Sequence, residues 1–131
     1  MNMSTDPLSA EQIAHFHAEG FLAVDRLVSP AEVGRMRELY DGLFSRRAGR
    51  EVGDHFDLAG ADEDGTPAAL EQILNPSRYE PAFGTLACLD TALAAATQLL
   101  GAGAEAQGNH AILKPPGRGA ATPWHQDEAY W

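Results

Sequence analysis

Apolar positions recur at helical spacing through most of the chain and break into short clusters towards its end. Leu8-Ser9-Ala10-Glu11-Gln12-Ile13 opens the first periodic stretch: Ser9 can cap, Gln12 can close a capping box and Leu8 can staple to Ile13. Gly20 suits a left-handed helix end, and Phe21-Leu22-Ala23-Val24 reads as a short strand. Ser29-Pro30-Ala31-Glu32 opens a second helix with proline at its first position. Val33, Met36, Leu39, Tyr40 and Leu43 give that helix one apolar face. Residues 46–68 read as a charged, glycine-rich loop, and a loop of that length in a compact domain marks function or mobility. A third helical stretch starts at Pro81 and runs through Leu86 and, after Asp90, from Leu93 to Leu100 before Gly101. Glu105 to Lys114 reads as a strand ended by Pro115-Pro116-Gly117, and Gly117-Arg118-Gly119-Ala120-Ala121 as a flexible connector. Helices first and strands last predict an α+β arrangement. The pattern gives one domain over residues 1–131, helical over about 8–100, with a sheet starting near 104 that has too few strands to bury so much helix.

Composition narrows the partners. With 131 residues and 44% apolar content the chain can form one globular domain with a real core. Its net charge of −10, from 9 basic and 19 acidic residues, repels phosphate backbones and anionic membranes. Neither nucleic acid nor a membrane surface is an expected partner. A single cysteine, Cys88, excludes an intrachain disulfide, fits a reducing cytoplasm and reads as a small buried hydrophobe. The first residues lack the basic and apolar regions of a signal peptide, and no apolar run approaches the ~20 residues of a membrane span. A cytoplasmic location is the expectation.

The chemistry concentrates in two His-x-Asp pairs. His125 and Asp127 lie two apart, so on an extended strand both side chains project from one face. An imidazole nitrogen and a carboxylate oxygen side by side are two of the three ligands of the facial triad that holds non-haem Fe(II) with open positions. Pro123 and Trp124 before the pair, and Tyr130 and Trp131 after it, can wall off a dry pocket. His55 and Asp57 form the second pair, in the acidic loop, where no rigid element fixes metal geometry. His55 therefore reads as a solvated loop histidine. The same loop approaches a calcium-binding pattern: counted from Gly60, Asp62, Asp64, Gly65 and Glu71 fall at loop positions 3, 5, 6 and 12. Gly60 stands where an oxygen ligand is required and Pro67 where a strand residue is, which rejects it. No phosphate-binding loop or nucleophile elbow is present. His15 and His17, two apart on a helix, cannot share a metal. His110 has two readings, a pocket residue or a packed one.

Four segments resemble the phytanoyl-CoA dioxygenase family of Fe(II)- and 2-oxoglutarate-dependent oxygenases. They are Phe16-His17-Ala18-Glu19-Gly20-Phe21, Gln72-Ile73-Leu74-Asn75-Pro76-Ser77, Ala111-Ile112-Leu113-Lys114-Pro115-Pro116-Gly117 and, above all, Pro123-Trp124-His125-Gln126-Asp127. The resemblance implies N-terminal helices packed on a double-stranded β-helix (a cupin-like jelly roll), of which this chain is the N-terminal portion with later strands absent. It implies His125 and Asp127 as the first two iron ligands. Lys114 is implied as a partner of a 2-oxoglutarate carboxylate, beside the plainer reading of an exposed strand-end lysine; Gln107 and Trp124 join it as cofactor-binding residues. It implies, too, that 2-oxoglutarate takes two metal positions and O2 the last, giving succinate, CO2 and a hydroxylated small organic substrate. A carboxylate at 127 favours hydroxylation over halogenation. In that family the distal histidine and a 2-oxoglutarate-anchoring arginine lie downstream, so the expectation is a fragment with two of three ligands, inactive alone. An alternative is a non-catalytic protein whose exposed sheet edge pairs with a partner or with itself; a mononuclear metallohydrolase is a third reading.

Overall fold

The computed structural model describes residues 7–60, 62–63, 65–117 and 119–127. The helix α1 (Ala10–Glu19) starts with a closed capping box: Ser9 Oγ accepts from Gln12 N–H at 3.2 Å, and Gln12 Oε1 accepts from Ser9 N–H at 2.8 Å. Gly20 ends it in the left-handed conformation, φ 79°, its N–H donating to the Phe16 carbonyl. The helix α2 (Pro30–Ser45) is capped by Ser29 and carries proline in its first turn. The helix α3 (Ala87–Leu100) has no side-chain cap from its own leading residue. Glu32 of α2 supplies one, accepting from the Cys88 N–H at 2.8 Å and placing negative charge at the positive end of α3. Gln98 ties α3 to the start of α1 by accepting from Leu8 N–H at 3.0 Å and donating to the Leu8 carbonyl at 3.2 Å.

Three short strands form an antiparallel meander, β1 (His55–Asp57), β2 (Glu71–Leu74) and β3 (His110–Leu113). The register pairs His55 with Ile73 and Ile73 with Ala111, and Gln72 with both Phe56 and Ile112. Side chains alternate along a strand, so His55, Ile73 and Ala111 share one face while Phe56, Gln72, Leu74, His110 and Ile112 share the other. The first face meets α2. Leu43 and Ile73 are fully buried there with Ala48 and Ala111, flanked by Tyr40, Phe44, Tyr79 and Phe83. Burying each of the two large side chains contributes about 1.5–3 kcal/mol. The Tyr40 hydroxyl donates to the Ile112 carbonyl and fastens α2 to β3. The second face borders a cavity and carries both the buried Gln72 and the exposed Ile112.

This is the expected α+β arrangement, with several local differences. The segment 46–68 is not a plain loop, because it contains β1. Gly49 and Gly53, both left-handed, bracket a 3-10 turn at Arg50–Val52 that swings the chain into the strand. A Cβ on Gly49 would lie 2.8 Å from the Tyr79 ring, so here glycine provides close packing rather than looseness. The strand β2, central in the sheet, spans only four residues, too few for a period to show. Phe21–Val24 forms no strand. The strand expected from Glu105 is confined to His110–Leu113, because β2 offers only four residues to pair with. The third helical stretch divides at Leu86, whose extended backbone separates a 3-10 turn at Pro81–Thr85 from α3. Cys88 is only half-buried, with burial raising its thiol pKa above the ordinary value. Among the described residues no helix is long and apolar enough to cross a membrane.

Candidate metal centre

Residues 119–126 join no strand, so His125 and Asp127 are not placed by a sheet register as the spacing suggested. The segment is held by discrete hydrogen bonds instead. Gly119 N–H donates to the Pro115 carbonyl at 3.1 Å, and Ala120 N–H to the Ala69 carbonyl at 3.2 Å. Lys114 Nζ donates to Thr122 Oγ1 at 3.2 Å. His125 Nδ1 lies 2.9 Å from the Pro123 carbonyl. A carbonyl oxygen only accepts, so this contact places a proton on Nδ1. His125 Nε2 is 3.4 Å from Asp127 Oδ1. Two donors sharing one divalent ion, at metal–ligand distances of about 2.0–2.2 Å, stand roughly 3–3.5 Å apart. The pair as it stands fits a shared metal.

His125 and Asp127 sit at a cavity of about 680 Å³ lined by this segment and by the sheet face that carries Gln72, His110 and Ile112. Leu58, Leu70, Ile112 and Pro123 form its apolar wall; Gln72, His110, Lys114 and Thr122 bring the polar groups. A few polar groups on an apolar wall is the usual make-up of a small-molecule site. His110 is thus a pocket residue. Gln72 was not singled out from the sequence: it is 6% exposed and borders the cavity from β2. Only its burial marks it, and four residues of strand do not reveal burial.

Other expected site residues lie elsewhere. Gln107 borders a neighbouring cavity of about 850 Å³ with Asn75, Gly108 and His110, apart from His125. Trp124 is fully exposed and walls off nothing among the described residues, on a segment that joins no strand. Tyr130 and Trp131 lie outside the described residues. His15 and His17 are exposed on α1.

The other His-x-Asp pair corrects the loop reading. His55 is 3% exposed on β1, its ring edge-on to Phe44 at 5.6 Å and its Nε2 3.7 Å from Glu71 Oε1. Its Nδ1 is buried without a hydrogen-bond partner. Asp57 is saturated: Oδ2 accepts from Ala69 N–H at 2.8 Å, and Oδ1 from Leu70 N–H at 2.9 Å and Ala59 N–H at 3.1 Å. The Ala69 bond, helped by those from Ala59, Leu70 and Gly60, holds its carboxyl below the ordinary carboxylate range. Among the described residues no three His, Cys, Asp or Glu side chains gather into a metal cluster.

The family model Phytanoyl-CoA dioxygenase (PhyH) matches residues 16–131. The chain belongs to this family. No curated protein and no solved structure matches it. Membership in the phytanoyl-CoA dioxygenase family makes the chain, at family level, an oxygenase of the Fe(II)- and 2-oxoglutarate-dependent type.

Proposed function

We propose that this chain carries the metal-binding segment of an Fe(II)- and 2-oxoglutarate-dependent hydroxylase acting on a small organic molecule. The observation that carries the reading is the 3.4 Å approach of His125 Nε2 to Asp127 Oδ1 at the edge of a mostly apolar cavity. An imidazole and a carboxylate are donors that suit non-haem Fe(II). Bound Fe(II), with 2-oxoglutarate and O2 as cosubstrates, would supply the oxidising chemistry for inserting a hydroxyl group. The protein's own work lies in holding and shielding. The Pro123 carbonyl accepts from His125 Nδ1 and so turns Nε2 toward Asp127. Asp127 brings the negative charge. Lys114, the only lysine in the chain, borders the same cavity and is the group proposed to meet a carboxylate of 2-oxoglutarate. Leu58, Leu70 and Ile112 offer a dry wall for the substrate's carbon skeleton. The third ligand and the continuation of the sheet into a jelly roll are proposed to come from outside the described residues. On this reading the 131-residue chain alone binds metal weakly and does not turn over 2-oxoglutarate.

The test is an anaerobic Co(II) titration of the chain followed by two-dimensional NMR. Paramagnetic broadening should centre on His125 and vanish in Asp127→Ala. Broadening centred elsewhere, or unchanged by the substitution, overturns the site; succinate formation by the unaided chain overturns the two-ligand reading. One observation favours a second reading: Ile112 and Leu113 of the edge strand β3 are 47% and 38% exposed, which suits pairing with a partner or a second copy. Tyr40 already occupies the Ile112 carbonyl of that strand. Sedimentation across a concentration series decides it, an oligomer that grows with concentration favouring the pairing role.

A further inference from the structure

We propose that Asp57 is a positioning residue for the iron-binding segment, acting through the Ala69 peptide on the backbone that leads into His125. The proposal rests on the hydroxylase reading for its purpose, and on the hydrogen bonds for its substance. Among the described residues, the Ala120–Ala69 bond is the only backbone hydrogen bond joining residues 119–127 to the chain before Pro115. Ala69 is fixed at both ends of its residue: its N–H donates to Asp57 Oδ2 at 2.8 Å, and its carbonyl accepts from Ala120. Asp57 holds Leu70 N–H as well, and Leu70 returns a carbonyl to Leu58 N–H at 2.8 Å, closing a bracket around residues 57–70.

Asp57 is itself fixed. Its own N–H donates to Asp62 Oδ1 at 2.8 Å, and Asp62 is ion-paired with Arg50, which also donates to the His55 carbonyl at 3.0 Å. Gly60 packs so close that a Cβ there would lie 1.9 Å from Asp57 Oδ2. A continuous path therefore runs from the turn after α2, through Arg50, Asp62, Asp57 and Ala69, to Ala120. Lys114 then holds Thr122, and the Pro123 carbonyl orients His125. A segment without strand pairing needs such an anchor, since a metal site tolerates little displacement of its ligands. The strand-borne His-x-Asp pair thus supports the exposed one: β1 carries the carboxylate that seats Ala69, and Ala69 holds the backbone leading to His125.

Two variants test this on the full chain. Asp57→Asn replaces an acceptor oxygen with an amide that faces backbone N–H donors, so at least one bond is lost. Gly60→Ala leaves the carboxylate charged and displaces it, and decides the matter if Asp57→Asn does not fold. Both should speed hydrogen exchange at the Ala120 amide and weaken Co(II) binding at His125 and Asp127 about tenfold, the lower end for groups behind metal ligands. Both should also change the Co(II) absorption bands, which report ligand geometry and do not respond to global stability. Glu80→Gln, which removes only the ion pair to Arg46, should leave all three readouts alone. Unchanged Ala120 exchange in either folded variant overturns the proposal, as does unchanged Co(II) binding beside faster exchange. If the unmodified chain binds no Co(II) at His125, the metal reading fails, and Ala120 exchange alone still decides whether Asp57 seats the segment.

Discussion

His55 and Asp57 ride on a strand with the imidazole 3% exposed, whereas His125 and Asp127 ride on an irregular segment with side chains 39% and 83% exposed. The two pairs have the same residues at the same spacing. In the first, three backbone N–H groups already occupy the carboxylate and an aromatic edge packs on the imidazole. In the second, one carbonyl orients the imidazole and the carboxylate faces a cavity. The difference between the pairs lies in burial and in the backbone amides that hold the Asp57 carboxylate, and the spacing of the residues does not report it.

That contrast can be broken most strongly at the core beneath the first pair. Ile73, fully buried and the register partner of His55, should cost about 2–5 kcal/mol of unfolding free energy as Ile73→Ala. Urea unfolding would measure it, and a loss below about 1 kcal/mol would mean that β1 is not seated on this core. A smaller gap should separate the two histidines. His55→Ala should lose about 1–3 kcal/mol, while His125→Ala, on an exposed segment, should stay within about 0.5 kcal/mol. Equal losses would erase the distinction between the pairs.

The smallest expected effect is on acid stability. The Ala69 amide, aided by other backbone amides, lowers the Asp57 pKa, and the Arg50 guanidinium lowers that of Asp62. A carboxyl with a depressed folded-state pKa contributes fully above its unfolded value and loses that contribution as pH falls through the folded value. Urea midpoints should therefore decline below about pH 4, and the decline should be shallower in Asp57→Asn. An identical acid profile in that variant would remove Asp57 from the pH dependence.

The starts of α1 and α2 were legible because capping is local: Ser9 with Gln12, and Ser29 with Pro30, act within one turn. The α+β class was legible too, and the setting of His125 and Asp127 singled out the pair on which the proposed site is built. The strands β1 and β2 were not. Each has three or four residues, and each exists because a partner distant in sequence supplies its hydrogen bonds. Gly49 and Gly53 looked like markers of a flexible loop, and only the fold shows them turning the chain into β1. Trp124 looked like a pocket wall, yet a side chain walls a pocket only where another element covers it.

The sequence by itself determined the starts of α1 and α2, the acidic charge and the family, because each of these depends on residue type and near neighbours. The tertiary structure decided which His-x-Asp pair lies on a strand with its carboxylate holding backbone amides and which lies exposed beside a cavity. That choice depends on burial and on hydrogen bonds such as Asp57 to Ala69 and Ala69 to Ala120, which join residues 12 and 51 positions apart.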